Sequence, residues 1–79
     1  MSLDMSISDC ITRNLERYFR DLEGEKPSAV YDMVRAQMEK PMLQVVMAQA
    51  KGNQTLAADI LGINRNTLRR MLTQYELLS

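Results

Sequence analysis

The stretch Gly52-Asn53-Gln54-Thr55-Leu56-Ala57-Ala58-Asp59-Ile60-Leu61-Gly62-Ile63-Asn64-Arg65-Asn66-Thr67-Leu68-Arg69-Arg70-Met71-Leu72 decides the fold. Asn53 is a helix N-cap, a residue whose side-chain oxygen can accept one of the orphan backbone N–H groups of a first turn. Leu56, Ala57, Ile60 and Leu61 then form the apolar face of a short helix, and Gly62 ends it. Gly62 can take the left-handed conformation that a tight turn requires. Asn64 is the next N-cap. Ile63 before it and Leu68 inside stand at the spacing of a hydrophobic staple, which sets the angle at which the chain enters the following helix. Leu68, Met71, Leu72 and Tyr75 continue as that helix's inward stripe, while Ala57 and Ala58 are small enough for two helices to cross closely. Together these features predict a helix-turn-helix over residues 53–75.

The outward face of the second of these helices carries Arg65, Asn66, Arg69, Arg70 and Thr73. Arg65 and Arg69 are one turn apart, as are Asn66 and Arg70. A guanidinium in the first turn of such a helix can donate two hydrogen bonds to guanine O6 and N7 in the major groove. Asn64, Thr67, Arg69 and Arg70 suit phosphates or groove walls. Asn53, Gln54 and Thr55, at the start of the preceding helix, suit the phosphate backbone. The expected DNA-binding set is therefore Asn53, Gln54, Thr55, Asn64, Arg65, Thr67, Arg69 and Arg70.

Upstream, residues 9–22 predict an amphipathic helix capped by Ser6 or Ser8, with Ile11, Leu15, Tyr18, Phe19 and Leu22 at helical spacing. Residues 1–7 read as a tail, and Gly24-Glu25-Lys26-Pro27 as a connection. Ser28 is the expected cap of a second helix running to about Ala50, kinked at Pro41, where an N–H is lost. Between Val30 and Met38 this helix is amphipathic, with Arg35 and Glu39 on the wet side. From Pro41 to Ala50 it has no charge at all. A helix apolar around most of its circumference must be covered on several sides, and one short chain has few other helices for that. The expectation is a second copy packed against the first through Leu15, Phe19, Val30, Met33, Val34, Met38, Met42, Leu43, Val46 and Met47. The alternative is a central helix wrapped by its own chain. Methionines, 7 in the whole sequence, read as core filler.

Size supports the shared core. A chain of 79 residues allows one domain, whose folding buries only about 60% of the surface its unfolded form exposes, although 46% of the residues are hydrophobic. The predicted architecture is all-α, with four helices per subunit: a tail at 1–7, dimerisation helices over 8–51 and a helix-turn-helix region over 52–79. Formal net charge is zero, but unevenly spread: residues 1–50 carry six basic and eight acidic groups, residues 51–79 four basic and two acidic. That asymmetry is the electrostatic footprint of a DNA-facing end. The single cysteine, Cys10, excludes an internal disulfide and reads as a half-buried filler in a reducing, cytoplasmic setting. No stretch reaches the roughly 20 apolar residues of a membrane span, and no secretory signal is evident. With no histidine, no phosphate-binding glycine loop and no metal-ligand cluster, neither an enzyme, nor a metal site, nor a cofactor is expected.

The sequence resembles the Fis (factor for inversion stimulation) family of bacterial nucleoid-associated DNA-binding proteins. The likeness rests on Gly52-Asn53-Gln54-Thr55 and Leu61-Gly62-Ile63-Asn64-Arg65-Asn66-Thr67-Leu68-Arg69, and upstream on Tyr31 and Glu39-Lys40-Pro41-Met42-Leu43; it spans about residues 8–75. It implies an intertwined homodimer on the nucleoid, base contact by Arg65 at each end of the site, and further DNA contacts by Asn64, Thr67, Arg69, Arg70, Gln54 and Thr55. It also implies double-stranded DNA bent across a narrowed, A/T-rich centre. Two departures qualify it. Few residues precede the first helix here, where better-studied relatives carry a long arm that activates DNA-inverting recombinases, so no recombinase activation is expected. Leu56, Met71, Thr73 and Gln74 stand where basic residues are common, which predicts a shallower salt dependence. A rival reading is the C-terminal DNA-binding and dimerisation domain of a nitrogen-regulator-type (sigma-54-dependent) activator. Another is a protein-binding helical adaptor that exposes residues 42–50.

Overall fold

A computed structural model describes residues 6–78, and it contains four helices and, among these residues, no strand: α1 Ile7–Asp21, α2 Val30–Gln49, α3 Gln54–Leu61 and α4 Arg65–Gln74. No helix of the described residues is long and apolar enough to cross a membrane. Packing divides the chain after Val34. The unit that holds α3 and α4 thus begins inside α2, at Arg35.

In the first unit, Ser6 caps α1 by accepting the Asp9 N–H at 3.0 Å. Asp9 in the first turn and Arg20 in the last complement the helix dipole. The helix therefore starts two residues earlier than the apolar spacing predicted. Of the expected tail, residues 1–5 lie outside the described residues, whereas Ser6 and Ile7 belong to the cap and the first turn. Helix α1 also ends earlier, at Asp21, with Leu22 as its C-cap and Glu23 and Gly24 both at positive φ. No residue of α1 is fully buried. Ile11, Leu15, Tyr18 and Leu22 are half-buried, and Tyr18 and Phe19 meet edge to face at 5.3 Å. Cys10 is exposed rather than half-buried, because it lies off the Ile11–Leu15–Tyr18 stripe.

Ser28 does not cap α2. Ala29 stands at the cap position, with φ of 54°, and its carbonyl accepts the Met33 N–H at 3.0 Å. The helix runs through Pro41 without interruption.

The second unit is organised by the way its helices stop. After α2, the Gly52 N–H reaches the Met47 carbonyl at 3.0 Å and the Lys51 N–H the Ala48 carbonyl at 3.1 Å. After α3, Ile63 bonds to Ala58 at 3.0 Å and Gly62 to Asp59 at 3.2 Å. After α4, Leu77 bonds to Leu72 at 2.8 Å and Glu76 to Thr73 at 3.1 Å. Each pair is a Schellman closure, which needs its penultimate residue in the left-handed region. Those residues are Lys51, Gly62 and Glu76, with φ of 54°, 76° and 58°; glycine stands at the middle one alone. A Cβ added to Gly62 would meet nothing within 4 Å, so Gly62→Ala should cost only conformational strain, about 1 kcal/mol. The expected result is a melting temperature lower by roughly 4–8 °C; an unchanged midpoint in thermal denaturation would contradict it.

The core joins the second half of α2 to α3 and α4. Leu43, Ala50, Ala57, Ala58, Leu68 and Leu72 are buried, with Val46, Met47, Leu61, Ile63, Met71, Tyr75 and Leu77 packed around them. Each fully buried leucine is worth about 1.5–3 kcal/mol relative to exposure. Leu43, expected at a dimer seam, is fully buried in its own chain's core, and Val46 and Met47 flank it. The uncharged run of α2 is covered on this side by the chain's own helix-turn-helix. The inward face of α3 also differs from expectation: it is Ala57, Ala58 and Leu61. Leu56 and Ile60, one turn apart, remain 44% and 52% exposed, because the alanine side is the only one narrow enough for the crossing.

Candidate nucleic-acid interface

Two side-chain caps start the two helices of the motif. Asn53 Oδ1 accepts the Leu56 N–H at 3.1 Å, and Asn64 Oδ1 accepts the Asn66 N–H at 2.7 Å. Each asparagine spends its acceptor on its helix and keeps its Nδ2 group as an exposed donor. Capping and contact with an anion are thus compatible in one side chain. Ile63 packs against the core that contains Leu68, as the staple spacing requires. The start of α4 is held in place by this contact and by the Gly62 turn.

On α4, Arg65, Asn66, Arg69, Arg70 and Thr73 are exposed and Thr67 is half-buried. None of Arg65, Arg69 and Arg70 pairs with a carboxylate among the described residues. Asn53, Thr55 and Arg65 line one open groove of about 460 Å³, together with Leu56, Asp59 and Ile63. The groove lies between the start of α3 and the first turn of α4, so it brings together three of the eight expected DNA-binding residues. Gln54 and Arg69 meet in a direct hydrogen bond at 3.2 Å. Asn64, Thr67 and Arg70 do not line the groove. Thr73 Oγ1 donates to the Arg69 carbonyl at 2.9 Å, which engages its hydroxyl with its own helix.

Sequence spacing missed the anchor at the other end of α4. Tyr75 Oη donates to Glu39 Oε1 at 2.6 Å, and Arg35 Nε approaches the same oxygen at 3.4 Å. Glu39 and Arg35, expected on a wet face, are half-buried. The carboxylate accepts from both α2 and α4 and so ties the end of α4 to α2. This hydrogen bond holds the Tyr75 hydroxyl protonated beyond its ordinary range, with desolvation acting in the same direction. The partner lies 36 residues away in sequence, a separation that no helical period signals.

Of the residues expected at a dimer seam, Leu43 is buried; Leu15, Val30, Met33, Val34, Met42, Val46 and Met47 are half-buried; Phe19 and Met38 are exposed. Tyr31 and Val45, which the sequence reading did not assign to the seam, are 74% and 62% exposed. Tyr31, Met38 and Val45 recur at intervals of seven along α2.

The pattern described as bacterial regulatory protein, Fis family, matches residues 34–75. A Fis-like DNA-binding protein of Neisseria meningitidis serogroup A is 58% identical over 72 residues, which cover 91% of each chain. One from Ralstonia nicotianae is 58% identical over 72 residues, covering 91% of this chain and 94% of the relative. The DNA-binding protein Fis of Glaesserella parasuis is 41% identical over 73 residues, covering 92% of this chain and 74% of the relative. With its turn, caps and core in place and relatives matched along nearly its whole length, the chain belongs to the Fis family of bacterial regulatory proteins.

Proposed function

We propose that this protein is a DNA-binding regulator of the nucleoid that acts as a homodimer and bends A/T-centred duplexes. The observation that carries the reading is the set of arginines on α4, exposed and without carboxylate partners among the described residues, on a helix anchored at both ends. Arg65, in the first turn, reads a base edge in the major groove. Asn64, Thr67, Arg69 and Arg70 hold groove walls and phosphates, and Asn53 and Thr55 clamp the backbone beside Arg65. The names of the relatives support the same ligand. Leu56 lines the groove where a cation would add a phosphate contact, so flank contacts are modest.

Homodimerisation is supported by apolar side chains that each of the two units leaves open in the single chain. Phe19, Tyr31, Met38 and Val45 are large and exposed, and Leu15, Val30, Met33, Val34 and Met42 are half-buried. Residues 8–51 would supply this interface, with residues 52–79 reading DNA. Paired reading helices closer together than one turn of straight duplex would require a bent, groove-narrowed centre.

Gel-shift titration on short A/T-centred duplexes at several salt concentrations, run beside sedimentation of the free protein, tests both statements. Expected are a dimer at micromolar concentration and an affinity that falls linearly with salt on logarithmic axes. A stable monomer would remove the paired-reader arrangement, and salt-independent retention would remove the DNA reading.

A further inference from the structure

Arg69 is the one arginine of α4 with a side-chain partner on another element. Its Nη1 donates to Gln54 Oε1 at 3.2 Å across 15 residues of sequence, from α4 to the first residue of α3. The two side chains differ in freedom. Gln54 is half-buried, whereas Arg69 is exposed. A long exposed arginine samples many rotamers and loses that freedom when it docks on an anion. An amide oxygen placed within reach selects one of them beforehand.

The chemistry of the partner matters as much as its position. A glutamate would hold the guanidinium as well and cancel its charge. The neutral carbonyl of Gln54 accepts one N–H and leaves the positive charge, and four of the five guanidinium donors, for another acceptor. No carboxylate pairs with Arg69 among the described residues. The contact therefore orients a cation without neutralising it, which suits a cation that must meet a phosphate.

We infer that Gln54 is a positioning residue, acting through Arg69 to preset the guanidinium for a DNA phosphate rather than contacting the backbone itself. This rests on the DNA-binding reading above, and it gives Gln54 a different role from its neighbours Asn53 and Thr55. Its consequence is that the energetic effect of Gln54 depends on Arg69 being present.

Anisotropy titrations of the full chain on one A/T-centred duplex, from about 50 to 200 mM salt, would compare wild type with Gln54→Ala, Gln54→Glu, Arg69→Ala and the double variant Gln54→Ala/Arg69→Ala. Gln54→Ala should weaken binding about three- to tenfold in the wild-type background and less than about twofold when Arg69 is already alanine. It should leave the salt slope nearly unchanged, since no charge is lost. Gln54→Glu should bind more weakly than Gln54→Ala and flatten the slope by about one for each Arg69 it neutralises. A glutamate at the start of α3 favours the helix dipole, so that variant keeps its fold, and thermal denaturation checks this. Equal losses for Gln54→Ala in both backgrounds, with wild-type binding intact, would overturn the positioning role alone. Wild-type protein that binds no duplex in a salt-sensitive way would remove the DNA reading and this inference with it.

Discussion

Arg65→Ala is expected to lower affinity for a preferred duplex by about ten- to a hundredfold and nearly to erase the preference at the ends of the site. A good bidentate contact to guanine is worth about 1–3 kcal/mol of discrimination, with each 1.4 kcal/mol a factor of ten. Two copies of the chain would present the residue twice. Arg65 is exposed, lies in the first turn of α4, lines the groove with Asn53, Thr55 and Asp59, and pairs with no carboxylate among the described residues. Arg70→Ala is the contrasting variant: it should weaken all sequences by a similar factor and reduce the salt slope by about one per phosphate lost. Competition titrations with duplexes altered only at the terminal guanines separate the two. A uniform loss for Arg65→Ala on every duplex would reassign it to the phosphate backbone.

The second large effect is on stability. Leu43→Ala should destabilise the protein by about 2–5 kcal/mol, a large share of the 5–15 kcal/mol typical of a folded domain. Leu43 is fully buried against a core that includes Leu68, Leu72 and Ala57, so its truncation leaves a cavity under the helix-turn-helix. The same loss should appear at low and at high protein concentration, because the contact lies within one chain. Val45→Ala provides the opposite pattern. Its side chain is exposed in the single chain, so its loss should act on the dissociation constant of the proposed dimer and leave the helix-turn-helix core untouched. Denaturant unfolding at two concentrations, with sedimentation, distinguishes them. A Leu43→Ala penalty that vanished on dilution would return that residue to the subunit interface.

Local chemistry explains which parts of the molecule could be read from the chain alone. Asn53, Gly62, Asn64 and the Ile63–Leu68 staple act within a few residues of themselves. The bounds of α3 and α4 follow from them to within about a residue. The run from Pro41 to Ala50 is different, because its lack of charge indicates burial without saying by what. Leu43 faces its own chain's α3 and α4, while Val45, two residues on, faces away; no pattern of apolar residues separates those outcomes. The reading of α3 failed for the same reason, since Leu56 and Ile60 are as apolar as Leu61 but point away from the alanine crossing. Ser28 has the chemistry of a cap, yet α2 starts at Val30 because Ala29 takes the cap position in a left-handed conformation. Glu39 to Tyr75 and Gln54 to Arg69 are contacts between distant residues. They exist only once the helices are assembled.

The link between Tyr75 and Glu39 bears on where deformation is stored when protein meets duplex. With Ile63 stapled at one end of α4 and the phenol tethered to a half-buried carboxylate at the other, this helix has little latitude to swivel and follow a straight rod. On the proposed DNA-binding reading, mechanical compliance would then come from the nucleic acid. Flexible pyrimidine–purine steps and compressible A/T tracts would be selected for how readily they yield. Severing the tether would shift part of that yielding into the protein and blunt its choice between stiff and pliant sites.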